Sequence, residues 1–187
     1  MNREMILEAS AQIIRQKGYH AASMQDIADA VNLQKASLYH HFSSKQDILL
    51  ALLDQALDLL IERVSAVLSR ELPADEKFRQ AMREYLGCLE EHAALASVLL
   101  LEHRSLNPEY HDRHIPRRDR FERLWRDLIQ EGVESGVFHA DDPAMTARAL
   151  LGVMNWTITW YHPDGRYSSE EISDKFADLF LDGLRGR

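Results

Sequence analysis

A single cysteine, Cys88, stands in 187 residues, so no intrachain disulfide can form and nothing points to an oxidising compartment. Cys88 lies at helical spacing from Tyr85, Leu89 and His92, which predicts a small buried hydrophobe rather than a reactive thiol. Glycine occurs eight times and proline five, so turns are scarce and the elements between them must be long. No apolar run at the N-terminus reaches signal-peptide length. The most apolar stretch, "ILLALLDQALDLLI", carries Asp54 and Asp58, each costly in lipid. It reads as a buried helix, with no membrane and a cytoplasmic location. Strand-type alternation is missing as well. So are the catalytic signatures: no G-x-S-x-G, no phosphate-binding loop, no H-E-x-x-H, and no His with Glu three positions before it. No enzyme and no cofactor is expected.

Charge is unevenly spread. The net charge is −8, yet residues 1–50 balance Arg3, Arg15, Lys17, Lys35 and Lys45 against Glu4, Glu8, Asp26, Asp29 and Asp47. The acidic excess therefore belongs to the remainder of the chain. That argues weakly against nonspecific nucleic-acid binding and leaves room for a local contact surface.

What the chain has throughout is helical periodicity, and the expected fold is all-α with about nine helices. Ile6, Ala9, Ile13 and Ile14 mark a first helix that Gly18 ends. Ser23 caps a second, with Asp26 in its first turn and Ile27, Ala28 and Val31 inward. Asn32, one of few residues that tolerate the left-handed conformation, makes a tight break. A third helix, "KASLYHHF", buries Leu38 and Phe42. Two short helices joined by so short a turn are a helix-turn-helix. With Leu38 and Phe42 inward, Lys35, Ala36, Ser37, Tyr39 and His40 fall on the remaining faces, donors and flat rings suited to base edges and phosphates. His41 is expected to face the next helix.

From Lys45 the scale changes, with long helices over about 45–70, 74–92, 117–136, 143–161 and 168–184 and a shorter, nearly all-apolar one at "ALASVLLLEHRSL". Pro73 ends the first, "NPEYHDRHIP" is a polar break, Asp142 and Pro143 open the penultimate helix, and Ser168 with Glu171 forms a capping box. The expected division is a DNA-binding domain at 1–45 and a helical ligand-binding and dimerisation domain at 46–187.

The segment "ILEASAQIIRQKGYHAASMQDIADAVNLQKASLYHHFSSKQDIL" resembles the DNA-binding region of the TetR family of transcriptional repressors, through the "IA" of the second helix, "SLYHHF" of the third and the "SK" that follows. The resemblance implies a DNA-binding set of Ser23, Gln25, Gln34, Lys35, Ala36, Ser37, Tyr39, His40 and Lys45, with Lys35 and Ala36 at the bases and Ser23, Ser37 and Lys45 gripping phosphate. Asn32 replaces the family's usual Gly. Only Arg3 precedes the first helix as a cation, so no basic arm into the minor groove is expected.

The second half has an apolar surplus. "LLGVMNWTITWY" is apolar on more than one face, so a second copy would bury Ala147, Leu151, Trp156 or Trp160, and "FADLFLDGL" shows the same surplus. A homodimer reading a palindromic double-stranded DNA operator follows. Tyr85, His92, Leu99, His103, Phe121, Trp125, Asn155 and Trp156 could line a pocket, though aromatic stripes at helical spacing are commonly core. "HDRHIPRRDRFERLWR" would align Arg113, Arg117 and Arg120 on one face if the helix continued through Pro116. The interleaved acids also fit an ordinary solvated face. The C-terminal region is similar to TetR-type regulators that sense acyl-CoA thioesters. The effector site implied is Tyr85, His103, Arg113, Arg117, Arg120, Trp125, Asn155, Trp156 and Trp160, with arginines at CoA phosphates and the acyl chain among the aromatics. His103, His111, Asp112 and His114 lack a diagnostic metal spacing, and no metal is expected. The alternative to a regulator is a helical small-molecule-binding or catalytic bundle with no DNA role.

Overall fold

The computed structural model describes residues 2–184. Among these residues there are nine α-helices and no strand: α1 (Arg3–Lys17), α2 (Met24–Ala30), α3 (Lys35–Tyr39), α4 (Lys45–Leu68), α5 (Ala74–Glu91), α6 (Ala93–Leu101), α7 (His111–Glu134), α8 (Pro143–Trp156) and α9 (Ser169–Leu184). The chain packs as two compact units. The first gathers residues 2–57 with 92–117, the second 58–91 with 118–184. Packing thus places the break elsewhere than the functional division expected at 45/46, because α6 lies against α1.

In the first unit, local chemistry sets the helix ends. Gly18 has φ +78° and returns its N–H to the Ile14 carbonyl at 2.8 Å. The buried stripe of α1 is Ile6, Leu7, Ser10, Ala11 and Ile14. The expected Ala9 and Ile13 are only half-buried, since the true face includes Ser10. Ser10 is tolerated there because its hydroxyl donates to the Ile6 carbonyl at 2.6 Å. α2 opens with a complete capping box: Ser23 Oγ accepts from the Asp26 N–H at 3.1 Å, and Asp26 Oδ2 accepts from the Ser23 N–H at 2.8 Å. Asn32, at φ +53°, supplies the left-handed turn between α2 and α3. α3 is shorter than expected. His40 to Phe42 form a turn, with the His41 and Phe42 N–H groups both on the Leu38 carbonyl. Leu38 and Phe42 are buried nonetheless.

In the second unit α5 and α9 pack along their length, joined by a two-pronged ion pair from Arg83 to Asp174 at 2.7 and 2.8 Å and one from Arg79 to Asp178 at 2.6 Å. Phe78, Ala81, Met82, Tyr85, Leu86 and Leu89 are all buried, as their period predicts. Gly132 is required by contact: a Cβ there would come within 1.9 Å of the Phe138 ring, which packs edge-on against Phe78. α8 is capped by Asp142 and begins at Pro143. It ends at Trp156 rather than near 161, where a 3₁₀ turn (Thr157–Thr159) follows. The box expected at α9 forms, with Glu171 Oε2 accepting from the Ser168 N–H at 2.8 Å and Ser168 Oγ from the Glu171 N–H at 3.2 Å. The buried face of α9 is Ile172, Ser173, Ala177, Leu181 and Leu184. Phe176, Leu179 and Phe180, expected inward, are displaced toward the surface, and Leu179 is 67% exposed.

α7 departs most from expectation. It starts at His111, not Arg117, and runs through Pro116. A proline inside a helix removes one backbone hydrogen bond, so other contacts must hold the first turns. His114, buried against Asp54, is one of them. Among the described residues no helix is long and apolar enough to cross a membrane.

Candidate functional site

The outward side of α3 is built by subtraction. Leu38 is fully buried and Phe42 nearly so, which fixes the rotation of the helix. Gln34, Lys35, Ala36, Tyr39 and His40 are exposed and Ser37 is half-buried. Tyr39 keeps 46% of its surface open. His41 is exposed too, contrary to the expectation that it faces α4, because the chain has already left the helix at that point. The result is a continuous polar and aromatic surface of donors and acceptors.

The flanking residues are held differently. Ser23 uses its hydroxyl on Asp26, accepting from the backbone and donating to Oδ2 at 2.7 Å. Asp26 also takes the Lys17 ammonium at 2.6 Å, and these contacts, Lys17 first, hold its carboxyl well below the usual range. Gln25 donates to Asp29 at 2.7 Å. Lys45 donates to the carbonyl oxygens of Tyr19 and Ala22 at 2.9 and 2.8 Å and sits over the Tyr19 ring. Its ammonium thus closes the loop between α1 and α2. Arg3 stacks over Phe42 at 4.6 Å. Lys35 is the cationic side chain of α3.

The next residue, Gln46, escaped the sequence reading. Its amide donates to the Tyr19 hydroxyl and the Ser105 carbonyl, each at 2.8 Å, and accepts from the Asn107 N–H at 2.8 Å. Nothing in an ordinary "SKQD" signals that role, because the partners lie far along the chain.

In the second unit, Tyr85 and Trp125 sit at the centre of an aromatic layer. The Tyr85 ring stacks on Phe121 at 5.8 Å between centroids, and Trp125 meets Tyr85 and Phe121 edge-on. The Tyr85 hydroxyl donates to the Asn155 side-chain oxygen. Burial pushes its pKa far up, so it remains a neutral donor. Trp125 is wholly buried, yet its indole N–H has no acceptor among the described residues. Burial likewise pushes the Cys88 thiol up to about 11.

The remaining ligand candidates are dispersed. Trp156 is 67% and Trp160 43% exposed, alongside Met145, Val153 and Leu179 as large apolar surface residues of α8, its following turn and α9. Ala147, expected against a partner, is completely buried within its own chain, and Leu151 is half-buried. His103 lies on a 3₁₀ turn in the first unit, its pKa lowered by partial burial and then by Arg104. Arg113 and Arg117 belong to the first unit and Arg120 to the second. Because α7 continues through Pro116, the three follow helical spacing, as the register requires. Among the described residues no three His, Cys, Asp or Glu side chains converge on a metal site. His111 contacts the Leu106 carbonyl and His114 contacts Asp54.

Two family descriptions match this arrangement. Residues 6–52 match "Bacterial regulatory proteins, tetR family", and residues 71–184 match "Tetracyclin repressor-like, C-terminal domain". Among curated relatives, the HTH-type transcriptional repressor KstR2 of Mycobacterium tuberculosis is 26% identical over 97% of this chain and 92% of its own. Among solved structures, the TetR family regulator PfmR of Thermus thermophilus is 39% identical, covers 95% of this chain and 97% of its own, and superposes with a TM-score of 0.88. AibR, solved with isovaleryl coenzyme A and operator DNA, is 28% identical over 98% of this chain and 97% of its own, with a TM-score of 0.85. The helix-turn-helix of residues 6–52 and the helical C-terminal domain that follows place this chain in the TetR family of bacterial transcriptional regulators.

Proposed function

We infer that the protein is a cytoplasmic repressor that binds a palindromic operator as a homodimer and is released by a small hydrophobic effector, an acyl-CoA thioester being the candidate. The observation that carries the DNA reading is the open face of α3, where Lys35, Ala36, Tyr39 and His40 are exposed while Leu38 and Phe42 anchor the helix from behind. One helix this short makes few base contacts, so two copies at successive major-groove exposures are needed for specificity. Exposed Trp156, Trp160, Met145, Val153 and Leu179 supply the apolar face for pairing. Trp156 and Trp160 are accordingly assigned to that face rather than to the effector.

The effector reading is supported by the buried Trp125 N–H, which lacks an acceptor among the described residues, and by the Tyr85–Asn155 pair beside it in the second unit. An apolar acyl chain suits the aromatic layer and CoA phosphates suit guanidinium forks. For the phosphates, Arg113, Arg117 and His103 are the candidates of the first unit and Arg120 that of the second. Release is a population shift: the effector must bind better to a dimer whose α3 helices are misplaced for the operator.

The test is fluorescence anisotropy on a duplex recovered by selection from a random library. Expected are salt-sensitive, palindrome-dependent binding at two protomers per site and loss of affinity with isovaleryl-CoA or a longer acyl-CoA. Equal affinity for scrambled DNA would defeat the repressor reading. Absence of any acyl-CoA effect, with no heat of binding in calorimetry, would defeat the effector reading alone.

A further inference from the structure

Two oddities of the sequence meet in the first compact unit. Asp54 interrupts the apolar α4, and "HDRH" opens α7 before a proline. Asp54 Oδ1 lies 3.3 Å from His114 Nδ1, and Oδ2 lies 2.9 Å from the Arg117 guanidinium. The Asp54 and His114 side chains are only 20% and 9% exposed, whereas Arg117 keeps 36% of its surface open. A carboxylate so enclosed holds α4 to the start of α7, since removing either charge leaves the other with its desolvation uncompensated. The same helix grips the DNA-reading helices at its other end. Lys45 and Gln46 fasten the first turn of α4 to the loop between α1 and α2. Lys45 and Asp54 are roughly 14 Å apart along the axis at 1.5 Å per residue. A helix is stiff over that length, so a shift at Asp54 reaches the reading head.

The geometry points to Asp54 as a latch that an anionic effector must displace. A phosphate-bearing ligand approaching the open side of Arg117 competes with Asp54 for the guanidinium. Once Arg117 turns to the phosphate, Asp54 is left with His114, α4 loosens from α7, and the reading head loses its fixed position. Arg117 is therefore a switch residue, already occupied in this state by a carboxylate of its own chain. This rests on the proposed reading that the effector carries phosphate groups. It adds which contact the effector breaks.

The experiment titrates the wild type, Asp54→Asn and Arg117→Gln with coenzyme A and with isovaleryl-CoA by calorimetry, and with the selected operator duplex by anisotropy, each variant first checked by its circular dichroism melt. Asp54→Asn removes one competitor for the guanidinium, so coenzyme A affinity is expected to rise while operator affinity falls by about tenfold, within the usual range of coupling between sites. Opposite signs on the two ligands are the signature, because a merely structural Asp54 would weaken both. Arg117→Gln is expected to lose about tenfold in affinity for both coenzyme A and operator, and it carries the test if Asp54→Asn does not fold. The latch is overturned if Asp54→Asn leaves coenzyme A affinity unchanged or undetectable, or if Arg117→Gln binds coenzyme A as the wild type does. Coenzyme A that binds as predicted, with no gain from the isovaleryl group, leaves the latch standing and sinks the acyl-sensing reading.

Discussion

The outward side of α3 and the aromatic layer around Trp125 hold their side chains in opposite ways. On α3, Lys35, Tyr39 and His40 are exposed. Around Trp125 the rings of Tyr85, Phe121 and Phe78 surround one another in stacked and edge-on contacts. A surface that reads another molecule's edges must leave its donors unsatisfied until that molecule arrives. A buried layer must satisfy or exclude every polar atom, so a lone unpaired indole N–H stands out there. Function and stability are therefore separable on α3 and entangled at Trp125.

The sharpest way to break this contrast is Trp125→Ala. Truncating a buried aromatic costs about 3–5 kcal/mol, read as a shift of the urea midpoint. Gly132→Ala, which drives a methyl into the Phe138 ring, is expected to follow at about 1–3 kcal/mol. Lys35→Ala should lower operator affinity by about tenfold and relax specificity at the base it reads, as loss of one base contact worth about 1–3 kcal/mol implies. Its melting should not move, because surface changes of this kind stay within about 0.5 kcal/mol. A destabilised Lys35→Ala would erase the distinction between the two regions.

Smaller effects sharpen it. Asn32→Ala should cost about 1 kcal/mol by forcing a Cβ into the left-handed conformation, while Asn32→Gly should cost nothing. Ser23→Ala removes a cap worth about 1 kcal/mol. Loss of operator affinity beyond the loss of stability would return Ser23 to the phosphate-gripping role. Acid acts at the same place. The Asp26 carboxyl is held below its unfolded value by Lys17 and Ser23. Its contribution is therefore complete above an unfolded pKa of about 3.9 and is lost as pH falls below it. Melts between pH 7 and 3 should show a shallower decline in Asp26→Asn. Finally, Cys88, buried with its thiol near 11, should react with a maleimide at pH 7 only when denaturant is added.

Much of this was legible along the chain wherever the cause was local. Gly18, Ser23, Asn32, Asp142 and the Ser168–Glu171 box depend on residues within three or four positions, and each does what its type and spacing dictate. Burial of Leu38 and Phe42 then forced the outward set on α3. Periodicity failed where a helix has two apolar sides. In α9, Ala177 and Leu181 turned inward and Leu179 outward, because the partner helix α5 chose the face. It failed again at α7, which runs through Pro116 and whose first turns are held in part by His114 against Asp54, sixty residues away.

The helix ends, the turn at Asn32 and the side of α3 that faces outward follow from backbone conformation and from neighbours along the chain. That Lys45 closes a loop, that Gln46 fastens α4 to residues 105–107 and that Asp54 holds Arg117 came from folding alone. Those roles depend on partners tens of residues away, and a side chain's charge says what it can bind but not which group folding will bring within reach.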